Sequence, residues 1–136
     1  MSADVQGELQ ISSESDIVAS RKVVREISIK LAFGITDVTR IVTAASELAR
    51  NIFQYAETGC MQWRVLDNGN CPGIELTFED QGPGIPDIEQ ALQAGFSTSG
   101  GLGFGLPGAK RLMDEMEIES SPGAGTKVTV RKWRPS

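Results

Sequence analysis

Residues 80–86 read Asp80-Gln81-Gly82-Pro83-Gly84-Ile85-Pro86, and residues 95–106 read Gly95-Phe96-Ser97-Thr98-Ser99-Gly100-Gly101-Leu102-Gly103-Phe104-Gly105-Leu106. Seven of the fifteen glycines in the chain lie between Gly82 and Gly105. Glycine accepts positive φ and lets the backbone approach a ligand closely, so this density predicts a loop that wraps a ligand. The second segment leads into an apolar, helix-like run, and a helix N-terminus offers free N–H groups to an anion. Together the two segments predict a phosphate-binding site.

The length and charge of the chain limit what it can bind. Its 136 residues fit a single domain, 1–136. A net charge of −5, from 13 basic and 18 acidic residues, disfavours nucleic acid and anionic membrane as partners, because both require a basic face. The N-terminus is polar and no apolar run approaches ~18 residues, so neither a signal peptide nor a membrane span is predicted. We therefore expect a cytoplasmic protein.

The chain has no histidine, which excludes several kinds of chemistry. A Ser-His-Asp triad, a histidine metal ligand and a phosphohistidine are all ruled out. The two cysteines, Cys60 and Cys71, form no CxxC pair and are interpreted as reduced thiols. Catalysis would therefore depend on carboxylates, hydroxyls, amides or a weakly held metal.

Two long helices are predicted in the first half of the chain. The first runs from Asp16 to about Ala32, is capped by Ser13 or Ser15, and ends at Gly34. The second is capped by Thr36 and carries one broad apolar stripe. The stripe comprises Val38, Ile41, Val42, Ala45, Leu48, Ala49, Ile52 and Phe53.

The helical period makes two polar residues of the second helix neighbours. Glu47 and Asn51 are four residues apart and so share one surface, opposite the apolar stripe. Periodicity alone predicts that both are solvated.

Alternating segments predict the strands. They are a possible edge strand Glu8–Ile11, a hairpin of Met61–Leu66 and Ile74–Phe78, and a final hairpin of Met116–Ser120 and Thr126–Trp133. Short helices are predicted at Asp87–Ala94 and Leu106–Asp114. This order predicts one mixed sheet with helices packed on a single face.

The glycine motifs of well-known nucleotide-binding loops fit poorly. Residues 103–108 match GxGxxG, but they do not directly follow a strand near the start of a domain, as a dinucleotide-binding fingerprint should. No GxxxxGK[ST] is present, which excludes a P-loop. The motifs His-Arg-Asp and Asp-Phe-Gly of ordinary protein kinases are also missing.

Four short motifs in order carry a more specific signal. They are Glu47-x-x-x-Asn51 on a helix, Asp80-x-Gly82-x-Gly84 after a strand, Gly101-x-Gly103-x-Gly105 before a helix, and Gly125-Thr126 at the start of the last strand. In this order they resemble the ATP-binding domain shared by gyrase, the Hsp90 chaperone, sensor histidine kinases and the MutL repair protein. The resemblance covers roughly residues 36–133. It implies a histidine-kinase-like ATPase fold: an α+β, two-layer sandwich with a mixed, mostly antiparallel sheet and helices on one face.

A closer resemblance spans nearly the whole chain. The segments Glu47–Asn51, Asp80–Asp87, Gly95–Gly103 and Leu112–Glu115 are similar to the RsbT-type switch kinases of bacterial stress signalling. That family implies a serine/threonine kinase that uses ATP and Mg²⁺ and phosphorylates STAS-domain scaffold and antagonist proteins of the stressosome. Once released, such a kinase binds and activates a serine phosphatase.

The resemblance also implies a role for each matching residue. Asp80 would accept a hydrogen bond from the adenine amine, which suits an acceptor-only carboxylate. Asn51 would hold Mg²⁺ through its side-chain oxygen, and Glu47 would be the general base for the attacking hydroxyl. The remaining nucleotide contacts would come from Gly82, Gly84, Ile85, Ser97, Thr98, Gly101, Leu102, Gly103, Phe104, Gly105, Leu106 and Thr126.

Other interpretations of the same residues stay open at this point. Glu47 and Asn51 could be ordinary solvated helix residues, and Asp80 could be an ordinary turn residue. The main functional alternative is an anti-sigma factor that uses the same domain to sequester a sigma factor. Nothing in the spacing assigns a role to Arg50 or Arg111.

Overall fold

The computed structural model describes residues 6–82, 106–120 and 123–135. The predicted helix Asp87–Ala94 lies outside the described residues. Among the helices that are described, none combines the length and apolar character needed to cross a membrane.

The described strands form one five-stranded sheet. They are β1 (Gln6–Ile11), β2 (Gly59–Asp67), β3 (Pro72–Asp80), β4 (Glu115–Ser120) and β5 (Thr126–Trp133), in the order β1-β2-β3-β5-β4. Each predicted strand is confirmed, with bounds shifted by at most two residues. Every pairing between these strands is antiparallel, where the sequence had suggested a mixed sheet. Two of these pairings, β2–β3 and β4–β5, are hairpins of consecutive strands, which are necessarily antiparallel.

The described helices are α1 (Glu14–Lys30), α2 (Ile35–Tyr55) and α3 (Leu106–Leu112). Ser13 caps α1, since its hydroxyl accepts a hydrogen bond from the Asp16 N–H at 3.3 Å. The Asp16 carboxylate in turn accepts from the Ser12 N–H at 2.9 Å, so two free donors at the helix start are satisfied. The prediction of Ser13 or Ser15 as the cap is thus confirmed at Ser13.

The junction between α1 and α2 differs from its prediction. Helix α1 ends at Lys30, four residues before Gly34, and Ala32 takes a left-handed conformation with φ 64°. The Ala32 N–H bonds to the Ile29 carbonyl and the Phe33 N–H to the Ser28 carbonyl, which is a Schellman motif. Phe33 is only 6% exposed, so its burial in the core accounts for the early turn. Gly34, not Thr36, is the N-cap of α2, and it makes no side-chain capping bond.

The core lies between the helices and one face of the sheet. That face carries apolar cross-strand pairs such as Met61 with Phe78 and Leu76 with Val130. The opposite face carries charged and polar residues, including Glu75 between Arg64 and Arg131. The predicted two-layer α+β arrangement with helices on one face is therefore confirmed. The C-terminal part of α2 packs beside the start of β2 and the end of β3, where Ile52 and Asp80 both flank Gly59.

Candidate functional site

Two polar residues of α2 lie one turn apart in different surroundings. The Glu47 carboxylate is accessible and forms an ion pair with Arg50 at 3.0 Å. Asn51 is buried, at 8% exposure, and its Oδ1 atom has no hydrogen-bond partner among the described residues. The prediction that both residues are solvated is therefore wrong for Asn51. Helix α2 contacts α1, α3 and the sheet, so it is covered on more sides than the period of its apolar residues indicates.

A buried amide oxygen without a partner requires an explanation. Leaving such a group unpaired costs about 1–3 kcal/mol, so native proteins rarely do so without a functional reason. An amide oxygen is a ligand type that Mg²⁺ accepts. Asn51 therefore fits the metal-binding role that the family resemblance implies.

Asp80 lies at the end of β3, buried at 9% exposure. Its Oδ1 atom accepts a hydrogen bond from the Gly82 N–H at 2.8 Å. Burial raises the pKa of Asp80 above its ordinary value, the charge of Glu79 adds to the rise, and the N–H groups of Gly82 and Thr126 oppose it. The carboxylate is thus under-solvated when ionised and would be stabilised by a further hydrogen-bond donor.

Close packing at Gly59 connects Asp80 with helix α2. A Cβ atom added at Gly59 would lie 2.8 Å from the Ile52 Cγ2 atom and 3.1 Å from the Asp80 Cβ atom. Only glycine lets β2 pass between these two side chains. Asp80 therefore lies beside the turn of α2 that carries Asn51.

Thr126 begins β5 directly opposite Asp80 in the strand register. It is buried at 7% exposure. Its hydroxyl lies 3.0 Å from the Ser120 Oγ atom, and Ser120 is its register partner on β4. The Ser120 hydroxyl also donates to the Gly125 carbonyl at 3.0 Å. Sequence analysis did not identify Ser120 as a site residue. The predicted hairpin nevertheless ends one strand at Ser120 and begins the next at Thr126, which makes the two residues cross-strand neighbours.

Cavities border both Asp80 and Glu47. One, of about 330 Å³, is lined by residues that include Asp80, Ser120 and Thr126, and another, of about 340 Å³, is also lined by Asp80. A separate cavity of about 310 Å³ lies between α1 and α2 and is lined by residues that include Arg21, Glu47 and Arg50. The Glu47 carboxylate is therefore open to a group that approaches from outside.

Leu106 is the first residue of α3 and is fully buried. Its side chain belongs to the core, so a contact with phosphate would involve its backbone. Gly82 follows Asp80 and serves as the donor described above. The other predicted nucleotide contacts lie outside the described residues: Gly84, Ile85, Ser97, Thr98, Gly101, Leu102, Gly103, Phe104 and Gly105.

Comparison with known proteins gives consistent results. Residues 36–135 match the family described as Histidine kinase-, DNA gyrase B-, and HSP90-like ATPase. The chain is 50% identical over 125 residues to the serine/threonine-protein kinase RsbT of Bacillus subtilis, a match that covers 92% of this chain and 94% of RsbT. It is 34% identical over 122 residues to the anti-sigma F factor of a Thermoanaerobacter species, covering 84% of this chain and 82% of that protein.

A solved structure supports the fold. The chain superposes on a Mycobacterium tuberculosis protein that contains RsbU and RsbW domains, with a TM-score of 0.64 and 20% sequence identity. The superposition covers 96% of this chain and 34% of that protein. At this identity the likeness concerns the fold alone.

Proposed function

We propose that this chain, which belongs to the Histidine kinase-, DNA gyrase B-, and HSP90-like ATPase family, is an ATP-dependent serine/threonine protein kinase. The similarity to RsbT at 50% identity extends over nearly the full length of both proteins, and it supports the kinase activity. The proposed substrates are STAS-domain scaffold and antagonist proteins of a bacterial stress-signalling complex. After release from them, the kinase would bind and activate a serine phosphatase. A cytoplasmic location stays a prediction.

The main support for this proposal is that α2 carries one buried and one accessible polar residue, one turn apart. The Asn51 oxygen is buried without a partner among the described residues, while the Glu47 carboxylate one turn earlier is open to an approaching molecule. A kinase that modifies another protein needs this arrangement. The metal and nucleotide must be enclosed, whereas the base must reach a hydroxyl that a partner brings.

Asn51 is the residue that would hold Mg²⁺ through Oδ1. When bound, Mg²⁺ neutralises charge on the phosphates during transfer. A single protein ligand suits this ion, which usually keeps several waters and binds phosphate oxygens for the rest of its shell.

Glu47 would orient and deprotonate the serine or threonine hydroxyl of the substrate protein. Its ion pair with Arg50 holds the carboxylate near the α2 surface. A general base of this kind contributes about 10²–10⁴-fold to a rate. Arg50 thereby gains a proposed role in positioning the base.

Asp80 would recognise the adenine amine, with Gly82, Gly84 and Ile85 beside the base and Thr126 completing the pocket. The buried carboxylate can accept but not donate when ionised, which matches an amine and mismatches a carbonyl. The proposed phosphate cover consists of Ser97, Thr98, Gly101, Leu102, Gly103, Phe104, Gly105 and Leu106.

The alternative function is that of an anti-sigma factor, and it rests on the lower, 34% identity to an anti-sigma F factor. One experiment separates the two. The purified chain is incubated with labelled ATP, Mg²⁺ and candidate STAS proteins, the modified residue is mapped by mass spectrometry, and a parallel pull-down tests candidate sigma factors. Labelled serine or threonine in a STAS protein supports the kinase. Tight binding of a sigma factor without any labelled STAS protein would instead support the anti-sigma function.

A further inference from the structure

Three polar residues form one row across the helix-facing side of the sheet. Asp80 on β3 is the register partner of Thr126 on β5, and Thr126 is the register partner of Ser120 on β4. The next row on the same side is apolar and consists of Phe78, Val128 and Ile118. The polar row therefore lies at the border of the core, where the proposed nucleotide site begins.

The hydrogen bonds of Ser120 determine the direction of the bond to Thr126. A carbonyl oxygen cannot donate, so the 3.0 Å contact with the Gly125 carbonyl uses the hydroxyl proton of Ser120. A hydroxyl has only one proton. The 3.0 Å contact between the two hydroxyls must therefore use the proton of Thr126, with Ser120 as acceptor.

The Gly125 carbonyl is a fixed end point for this chain of hydrogen bonds. Gly125 has a φ of +81°, and a Cβ atom added there would overlap the Asp80 carbonyl oxygen. The backbone at Gly125 is thus packed against the backbone of β3. The proton of Ser120 is therefore directed toward a carbonyl of packed backbone, and the proton of Thr126 is directed toward Ser120.

The consequence is a pocket wall with two acceptors. Thr126 has given its only proton to Ser120, so its oxygen can offer only lone pairs to a ligand. The ionised Asp80 carboxylate also offers only lone pairs. A ligand group that lies against both must be a donor, and an exocyclic amine has two N–H groups, whereas a 6-oxo group is itself an acceptor.

We propose that Ser120 is a positioning residue for base selectivity: it holds the Thr126 hydroxyl as an acceptor, so that the site favours a 6-amino purine over a 6-oxo purine. This inference rests on the proposed function, because it requires that the row faces a purine nucleotide. Ser120 does not touch the base in this proposal and acts through Thr126.

The test measures the affinities for ADP and IDP by titration calorimetry in the presence of Mg²⁺. Replacing Ser120 by alanine (Ser120→Ala) frees the Thr126 proton, which can then point toward a 6-oxo group. We expect the ratio of ADP affinity to IDP affinity to fall about three- to tenfold, which is the change in affinity that one neutral hydrogen bond usually causes. Ser120→Thr keeps a hydroxyl and should retain the wild-type ratio.

A second substitution and a control keep the test decisive. Ser120→Cys keeps the side-chain volume but replaces the hydroxyl by a weak donor, so it should shift the ratio in the same direction even if the alanine variant folds poorly. Thr129→Val removes a buried hydroxyl of β5 that belongs to the opposite side of the sheet, and it should leave the ratio unchanged.

Two outcomes would overturn the inference in different ways. If Ser120→Ala and Ser120→Cys weaken ADP and IDP by the same factor, Ser120 only holds the turn at Gly125 and has no part in selectivity. If the wild-type chain binds neither nucleotide, the proposed function fails and this inference fails with it. A wild type that binds ADP, together with unchanged ratios in the variants, would contradict the inference alone.

Discussion

Glu47 and Asn51 lie one turn apart on α2, yet 42% of the Glu47 side chain is exposed while Asn51 as a residue is 8% exposed. This difference fits the two tasks that we propose for these residues. A substrate hydroxyl can reach an accessible carboxylate, whereas a metal ion beside phosphates is better held where water is limited. The helix provides both environments within a single turn.

Replacing Glu47 by alanine should reduce phosphoryl transfer to a STAS protein by about 10²–10⁴-fold, the usual contribution of a general base. Nucleotide affinity should change little, because a base acts mainly in the transition state. Single-turnover transfer of labelled phosphate and calorimetry with ADP measure the two quantities. Glu26→Ala, which removes an exposed glutamate of α1, is the control. Transfer by Glu47→Ala at the wild-type rate would remove Glu47 from the mechanism.

Replacing Asn51 by alanine should abolish the dependence of nucleotide affinity on Mg²⁺. In the wild type we expect ADP to bind more tightly with Mg²⁺ than with EDTA, because Asn51 Oδ1 would hold the metal that neutralises phosphate charge. In Asn51→Ala the two affinities should be similar, and phosphoryl transfer should fall in parallel. Gln54→Ala, which removes an exposed amide on the same helix, should behave like the wild type. A full Mg²⁺ effect in Asn51→Ala would contradict the assignment.

The strands and α2 could be predicted from sequence because their signals are local and agree with one another. The broad apolar stripe of α2 spans most of the observed helix Ile35–Tyr55, and β5 was predicted with its observed bounds Thr126–Trp133. Local patterns sufficed because α2 carries apolar residues at helical spacing and the strands carry them in alternation.

The end of α1 and the burial of Asn51 could not be predicted in the same way, because both depend on tertiary contacts. Helix α1 ends where Phe33 enters the core, which places Ala32 in a conformation that sequence rules reserve for glycine. Asn51 shares a helical face with the accessible Glu47, so its position in the helical period predicts an exposed side chain. In the folded chain, contacts with neighbouring elements bury it. The contact between Ser120 and Thr126 depends on the register of the β4–β5 hairpin. The sequence predicted the two strands but not the contact between these side chains.

The charged side of the sheet should contribute to stability without affecting the nucleotide. Arg131 pairs with Glu75 at 2.8 Å, with Glu117 at 2.6 Å and with Glu115 at 3.2 Å. Replacing Arg131 by alanine leaves the largely buried Glu75 with Arg64 as its remaining partner. We expect the free energy of unfolding to fall by about 1–3 kcal/mol, the cost of losing a partner of a buried polar group.

Urea unfolding measures this change, and ADP affinity provides the comparison. Glu117→Gln removes one exposed partner and should cost less than about 1 kcal/mol, as exposed ion pairs do. ADP affinity should be unchanged in both variants, because these residues lie on the side of the sheet opposite Asp80. A large loss of ADP affinity in folded Arg131→Ala would show that the two sides are coupled.

Asp80 should give the empty protein and the nucleotide complex opposite dependences on pH. Burial raises the pKa of Asp80 in the folded chain above its ordinary value of 3.8, so the native state holds a proton that the unfolded state has released. Between these two pKa values the native state binds more protons. The contribution of Asp80 to the free energy of unfolding of the empty protein therefore falls as the pH rises through this window and is constant above it.

Nucleotide binding should respond in the other direction, because the adenine amine requires the ionised carboxylate as acceptor. As the pH falls through the raised pKa of Asp80, ADP affinity should decline, and the decline should begin at a higher pH than an ordinary aspartate would give. Asp80→Asn should bind ADP about tenfold or more weakly at neutral pH, because its amide presents a donor to the amine. The variant should also lack the part of the pH dependence that comes from Asp80. Protonation of the nucleotide itself affects both proteins equally. Calorimetry with ADP over a pH series tests the prediction, and identical pH profiles for wild type and Asp80→Asn would exclude Asp80 from the base pocket.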